Sequence, residues 1–190
     1  MSRLARIGSD TEGSALLEFA IVLPLLVVFI VGIYDFSGAY NQKQKIEHAA
    51  QAGAAAAAGQ PTGDMDSGDP DSLQPVVNVI FNSLASEGVL PLANQGTCAV
   101  PVAGALSGAV TWRYTISGCS ATSTDDLVIT INRGAMGTVG PGSPTAVSTA
   151  VSVSFPYHWR FNSVIQLLVP GASYAPVTNV QATATVHSQM

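Results

Sequence analysis

Charge is what this sequence has least of. Only 10% of its 190 residues are charged, against about 25% in an average soluble domain. Its only lysines are Lys43 and Lys45, and beyond residue 49 the positive side chains are Arg113, Arg133 and Arg160 alone. In a chain of net charge −5, three scattered arginines cannot build the clustered basic face that phosphate contacts need. A nucleic-acid partner is therefore not expected. Cysteine is almost as scarce. Cys98 and Cys119 form no C-x-x-C pair and no metal-ligand spacing, which excludes the common redox and zinc motifs. An even count in a Gly/Thr-rich half reads as one disulfide of an exported domain, stabilising it by about 3 kcal/mol, with a reduced pair as the alternative.

Catalytic signals are missing too. His48, His158 and His187 fall on separate segments, and no Gly-x-Ser-x-Gly, His-Glu-x-x-His or phosphate loop occurs. The Gly-rich stretch 134–142 lacks the strand-before, helix-after setting of a nucleotide site. Asp64, Asp66, Asp69 and Asp71 invite a calcium reading. However, Asp64-x-Asp66-x-Gly68 lacks the third oxygen ligand of an EF-hand loop, and its twelfth position is Pro75. A solvated acidic loop is the expectation. No enzyme, cofactor or metal is indicated.

What the chain does have is an apolar run. Residues 15–34 form 20 consecutive positions broken only by Glu18 and Pro24. As a helix rising about 1.5 Å per residue, such a run matches a hydrocarbon core of roughly 30 Å. Three readings compete. A secretory signal peptide would be cut near Ser37-Gly38-Ala39, but its apolar core is normally 7–15 residues and uncharged. A plain single-span anchor must tolerate Glu18, whose cost falls towards the end of a span. The third reading gives Glu18 a task. Gly13, Ser14 and Glu18, followed by Phe19, are laid out as in a type IV prepilin: a short polar leader ending in Gly, then an acid five residues into the mature chain. Cleavage after Gly13 would leave an amine on Ser14, one helical turn before Glu18. The two charges can neutralise each other within or between packed subunits, and an acid in a first turn also suits the helix dipole.

The stretch from Glu12 to Phe36, with residues 42–58 after it, resembles the TadE-like pilus assembly proteins, minor pseudopilins of the tight-adherence (type IVc) pilus. Glu12 stands where that family usually has a basic residue. The resemblance implies a structural role and a set of partners: a prepilin peptidase, other pilin and pseudopilin subunits met through the N-terminal helix, the inner-membrane assembly platform and membrane lipid. It further implies a single-pass inner-membrane protein whose C-terminal domain is exported. Flanking charge does not fix the orientation, since Arg3 and Arg6 face Lys43 and Lys45.

The expected organisation is a leader over residues 1–13, a helix over 14–59 kinked at Pro24, a linker over 60–71 and an α+β domain over 72–190. Eight alanines within residues 49–59 read either as a good helix former or as a smooth surface for neighbouring helices in a bundle or filament. Gly59-Gln60-Pro61 should stop the helix. Residues 72–89 carry Val76, Val77, Ile80, Phe81 and Leu84 at helical spacing. Strands are expected around Val110, Trp112, Tyr114 and Ile116; Leu127, Ile129 and Ile131; Val147 to Phe155; and Val180 to Val186, each alternating with Thr, Ser, Asn or Gln. Together they predict an antiparallel sheet with one wet face, packed on a helix. Phe155, Tyr157, Trp159 and Phe161 continue the alternation as an aromatic cluster, read as edge or core packing or as a partner surface. The alternative to a pilin-like subunit is an unprocessed membrane-anchored extracytoplasmic binding module.

Overall fold

A computed structural model describes residues 11–65, 68, 70–90, 98–100, 104–119, 126–138, 145–168, 171 and 177–188. Its elements are α1 (Thr11–Ala58), a 3-10 turn (Asp71–Leu73), α2 (Gln74–Ser86), β1 (Ala105–Gly108), β2 (Thr111–Ile116), β3 (Leu127–Thr138), β4 (Thr145–His158), α3 (Phe161–Leu168) and β5 (Val177–His187). The five strands form one antiparallel sheet in the order β1-β2-β3-β4-β5. The fold class is α+β, as the alternation predicts.

The chain divides into two compact units, Ala39–Tyr157 with Val177–Met190, and Met1–Gly38 with His158–Pro176. In the larger unit one sheet face carries Trp112, Tyr114 and Ile116 of β2, Leu127, Ile129 and Ile131 of β3, and Val151, Val153 and Phe155 of β4, all buried. β2 and β3 pair with Trp112 opposite Ile131 and Tyr114 opposite Ile129, so the apolar positions stack across the ladder. Ser152, on the other face of β4, accepts from the Gln181 amide at 2.7 Å and bonds Thr183 at 3.1 Å, which is how the wet face joins β5.

Against the apolar face lie α2, through Val76, Val77, Ile80 and Leu84, and the C-terminal part of α1, through Ile46, Ala49, Ala50, Ala54 and Ala57. The alanine stripe therefore packs inside its own domain. Gly53, also buried, takes this to the limit. A Cβ there would overlap Ile80 Cγ1 and lie 3.5 Å from Val151 Cγ1, so the α1 backbone passes directly between α2 and the sheet. Gly59, Gln60 and Pro61 end α1 as expected. Residues 72–89 are not one helix: a 3-10 turn precedes α2, and Gly88, at φ +68°, closes it. There the Val89 N–H reaches back to the Leu84 carbonyl at 3.0 Å, a closure that needs the left-handed backbone glycine adopts freely.

Two elements were absent from the sequence expectations. β1 is exposed at all four positions and shows no alternation. α3 replaces the continuation of the aromatic alternation. Phe155 is buried in the larger unit, whereas Trp159 and Phe161 belong to the smaller one. The aromatic alternation is thus divided between the two units.

Candidate functional site

The N-terminal part of α1 is apolar around its whole circumference. Leu16, Leu17, Ile21, Leu25, Phe29 and Ile33 step round the helix, and each is 59–72% exposed. An 18-residue window has a mean hydropathy of 2.8 and none of it is buried. A helix apolar on every side is stable only within other apolar matter, either a bilayer or a bundle of like helices. By length and composition this one can cross a membrane. Residues 1–10 of the expected leader lie outside the described residues. α1 begins at Thr11, so Gly13, Ser14, Glu18 and Phe19 all sit in its first turns, exposed, with Glu18 one turn beyond Ser14. Among the described residues Glu18 has no ion-pair partner. Pro24 lies within the helix, where it removes one backbone donor.

The polar groups at the far end of this apolar stretch are differently placed. Asp35, the residue directly after the run, is 1% exposed. Its Oδ2 accepts the Phe161 N–H at 2.7 Å, closing the N-terminus of α3. A carboxylate there satisfies a free backbone donor and faces the positive end of the helix dipole. Phe36 and Trp159 pack edge to face at 5.3 Å beside it. Asp35 carries no motif, and its partner is 126 residues away.

In the larger unit the few charged groups also serve helix ends. Lys45 Nζ donates to the Glu87 carbonyl just past α2 at 2.7 Å. The last turn of α1 has no basic residue of its own. Buried Arg133, at an irregularity in the β3–β4 register, donates from Nη2 to the Gln60 carbonyl at 2.8 Å. Burial lowers the Arg133 pKa, and the nearby Asp64 carboxylate opposes that shift. The expectation of a solvated acidic loop needs amending at Asp64. Its two oxygens accept the Ser72 N–H at 2.9 Å and the Ser72 hydroxyl at 3.0 Å, which caps the 3-10 turn. The backbone hydrogen bond is the main cause holding the Asp64 carboxyl below its ordinary 3.8. Asp66 and Asp69 lie outside the described residues, and no cluster of metal-ligating side chains occurs among those described.

Cys98 and Cys119 are bonded to each other, with Cα atoms 4.6 Å apart. Both are buried, and the bond ties residues 98–100 to the chain just after β2.

An all-round apolar N-terminal helix precedes a disulfide-containing α+β domain, an arrangement that suggests a membrane anchor. More particularly, residues 13–55 match the family model described as TadE-like protein, so the resemblance read from the sequence holds over that segment. The match ends within α1, ahead of the sheet, and it associates the chain with Tad pilus assembly. Proteins of that family are structural components of the pilus. No curated protein and no solved structure matches the chain.

Proposed function

We propose that the chain is a minor pilin-like subunit of a tight-adherence type IVc pilus or secretion machine. It is inserted in the inner membrane as a precursor, with its C-terminal domain exported, and is clipped between Gly13 and Ser14 by a prepilin peptidase. It is then handed from the assembly platform into a filament through α1. The observation that carries this reading is the unburied apolar helix within the TadE-like segment, with a single acid, Glu18, at its start. In lipid, its exposed apolar side chains are all satisfied. In a filament, the same surface packs on the helices of other pilin and pseudopilin subunits.

Glu18 is the registration device. Once Ser14 carries a free amine, the Glu18 carboxylate one turn away neutralises it, in its own subunit or in the neighbour. Phe19 packs beside the pair, and Pro24 lets the helix bend as it leaves the bilayer. The domain built on β2 to β5 decorates, primes or caps the structure.

Intact mass and N-terminal sequencing of the protein from its native host test this reading. The expected mature chain begins at Ser14. Retention of residues 1–13 would instead define a membrane-anchored binding module, and a start at Tyr40 would define a secreted protein.

A further inference from the structure

α3 contacts the molecule at a particular height. Its first residue is held by Asp35, and the Phe161 ring lies over Gly32, at 3.7 Å from where a Cβ would be. Trp159, two residues earlier, packs edge to face against Phe36. Gly32, Asp35, Phe36, Trp159 and Phe161 enclose an apolar hollow of about 70 Å³. On α1, residues 32–36 are the point at which the apolar run stops and polar sequence begins. If the run spans the hydrocarbon core, this is the level of the headgroups and the upper acyl chains.

The sequence of α3 suits that level. Phe161, Val164, Ile165 and Leu168 fall at i, i+3, i+4 and i+7, the spacing of one apolar face. Ser163 and Gln166 are exposed between them, and Arg160, just before the helix, is exposed as well. Val164 and Ile165 are only half-buried within the protein. An amphipathic helix with a tryptophan and a cation at its start is the composition that settles into a membrane interface.

We infer that α3, with Trp159 before it, is an interfacial membrane element. Its apolar face lies in the headgroup–acyl boundary of the bilayer, beside the point where α1 leaves it. The occupant of that face is lipid. Continuity decides this: α3 is fastened to the last turn of the membrane-crossing stretch, so whatever surrounds Ile33 and Tyr34, respectively 69% and 66% exposed, also reaches α3. The inference rests on the membrane-spanning reading of α1 but not on cleavage or pilus assembly. It gives the protein two lipid contacts, 126 residues apart in the chain, and both must be released for the subunit to leave the membrane.

The test is tryptophan quenching with the full chain in phosphatidylcholine nanodiscs, using lipids brominated near the headgroup or deep in the acyl chain. Trp112 is fully buried in the sheet domain, so the difference between wild type and Trp159→Phe isolates Trp159. Shallow bromines are expected to remove the Trp159 share of the emission, deep ones to remove less of it, and aqueous iodide to have little effect. Ile165→Glu, which leaves Trp159 in place, should lower the bromine quenching and raise the iodide quenching. Insensitivity of Trp159 to both bromolipids overturns the inference. It does so whether iodide reaches the ring, which would place it in water, or fails to, which would place it against a second copy or another protein. A chain that stays out of the discs altogether overturns the spanning reading as well, whereas entry without quenching overturns the α3 contact alone.

Discussion

Replacing Gly53 by alanine tests whether the closeness of α1 to α2 is a structural requirement or a by-product of an alanine-rich helix. On propensity alone the change is favourable, by about 1 kcal/mol in a helix interior. The packing opposes it. The new Cβ would meet Ile80 at both Cγ1 and Cδ1, with Val151 3.5 Å away on the other side. Ile80 is 0% exposed, as is Val151, so neither side chain has solvent to move into. Inserting a methyl into a closed core typically costs about 1–3 kcal/mol, and the net expectation is a loss of about 1 kcal/mol. In a chain of this size each kcal/mol shifts Tm by roughly 2–4 °C. Thermal unfolding of the detergent-solubilised full chain, followed by near-UV circular dichroism of buried Trp112, reads this directly. A cycle with Ile80→Ala supplies the sharper measure. Ile80→Ala alone should cost about 2–5 kcal/mol by opening a cavity. Adding Gly53→Ala to it should then restore stability, because the methyl enters that cavity and the helix-propensity gain is no longer opposed, giving a coupling of about 1–2 kcal/mol. A rise in Tm for Gly53→Ala in the intact core, or strict additivity of the two changes, would refute the close-approach account.

Glu18→Ala should leave membrane levels and processing near normal but abolish incorporation into pili, because an unpaired Ser14 amine among packed helices costs several kcal/mol; normal pili from that strain would sink the pairing role. Reduction of the Cys98–Cys119 bond should lower stability by about 3 kcal/mol, and alkylation of unreduced, denatured protein should find no free thiol, whereas two labelled thiols would contradict the bond. Asp64→Asn should cost about 1 kcal/mol at neutral pH through loss of the ionised cap. Because the folded-state pKa of Asp64 lies below 3.8, the stabilisation is fully present above that value and lost as pH falls through the folded pKa. The Tm gap between wild type and Asp64→Asn should therefore narrow in acid, and a gap that is constant with pH would assign the effect to something other than the charge.

Much of the architecture was legible in the sequence because it rests on period. The run at residues 15–34, the 3.6-residue spacing of α2 and the two-residue alternation of β2, β3 and β4 each report a local geometry that burial then enforces. The Cys98–Cys119 pairing needed only a count of two. What escaped was non-periodic or misleadingly so. β1 has no buried face, so nothing selects alternation in Ala105–Gly108. At Phe155 to Phe161 a period-two pattern runs past the true end of β4 and hides the change of period at α3, although Val164, Ile165 and Leu168 supply the helical signal just beyond. Asp35 and Arg133 were invisible for another reason. Their roles lie in hydrogen bonds to backbone atoms 126 and 73 residues away, and a backbone acceptor or donor leaves no trace in residue identity. Small residues at 49–59 read either as a good helix former or as a surface for other chains, but the same smallness serves equally for packing within one chain, where Ala49, Ala50, Ala54 and Ala57 join the core with α2.

Among the described residues, three helix ends are finished by side chains from distant segments: Asp35 at the start of α3, Lys45 beyond the end of α2 and Arg133 beyond the end of α1. In each pair the member contributed by α1 or its exit is synthesised first, and its counterpart follows 42 to 126 residues later. During synthesis, α1 is thus complete in sequence but unfinished in bonding, with an aspartate, a lysine and a terminal carbonyl each waiting for later chain. Contacts of such separation close slowly, since the entropy of the intervening loop is lost before the bond is gained. α3 is consequently a helix whose start is closed only by a residue made 126 positions earlier, so that chains truncated after β3 would keep α1 and α2 but leave Asp35 without the helix it closes.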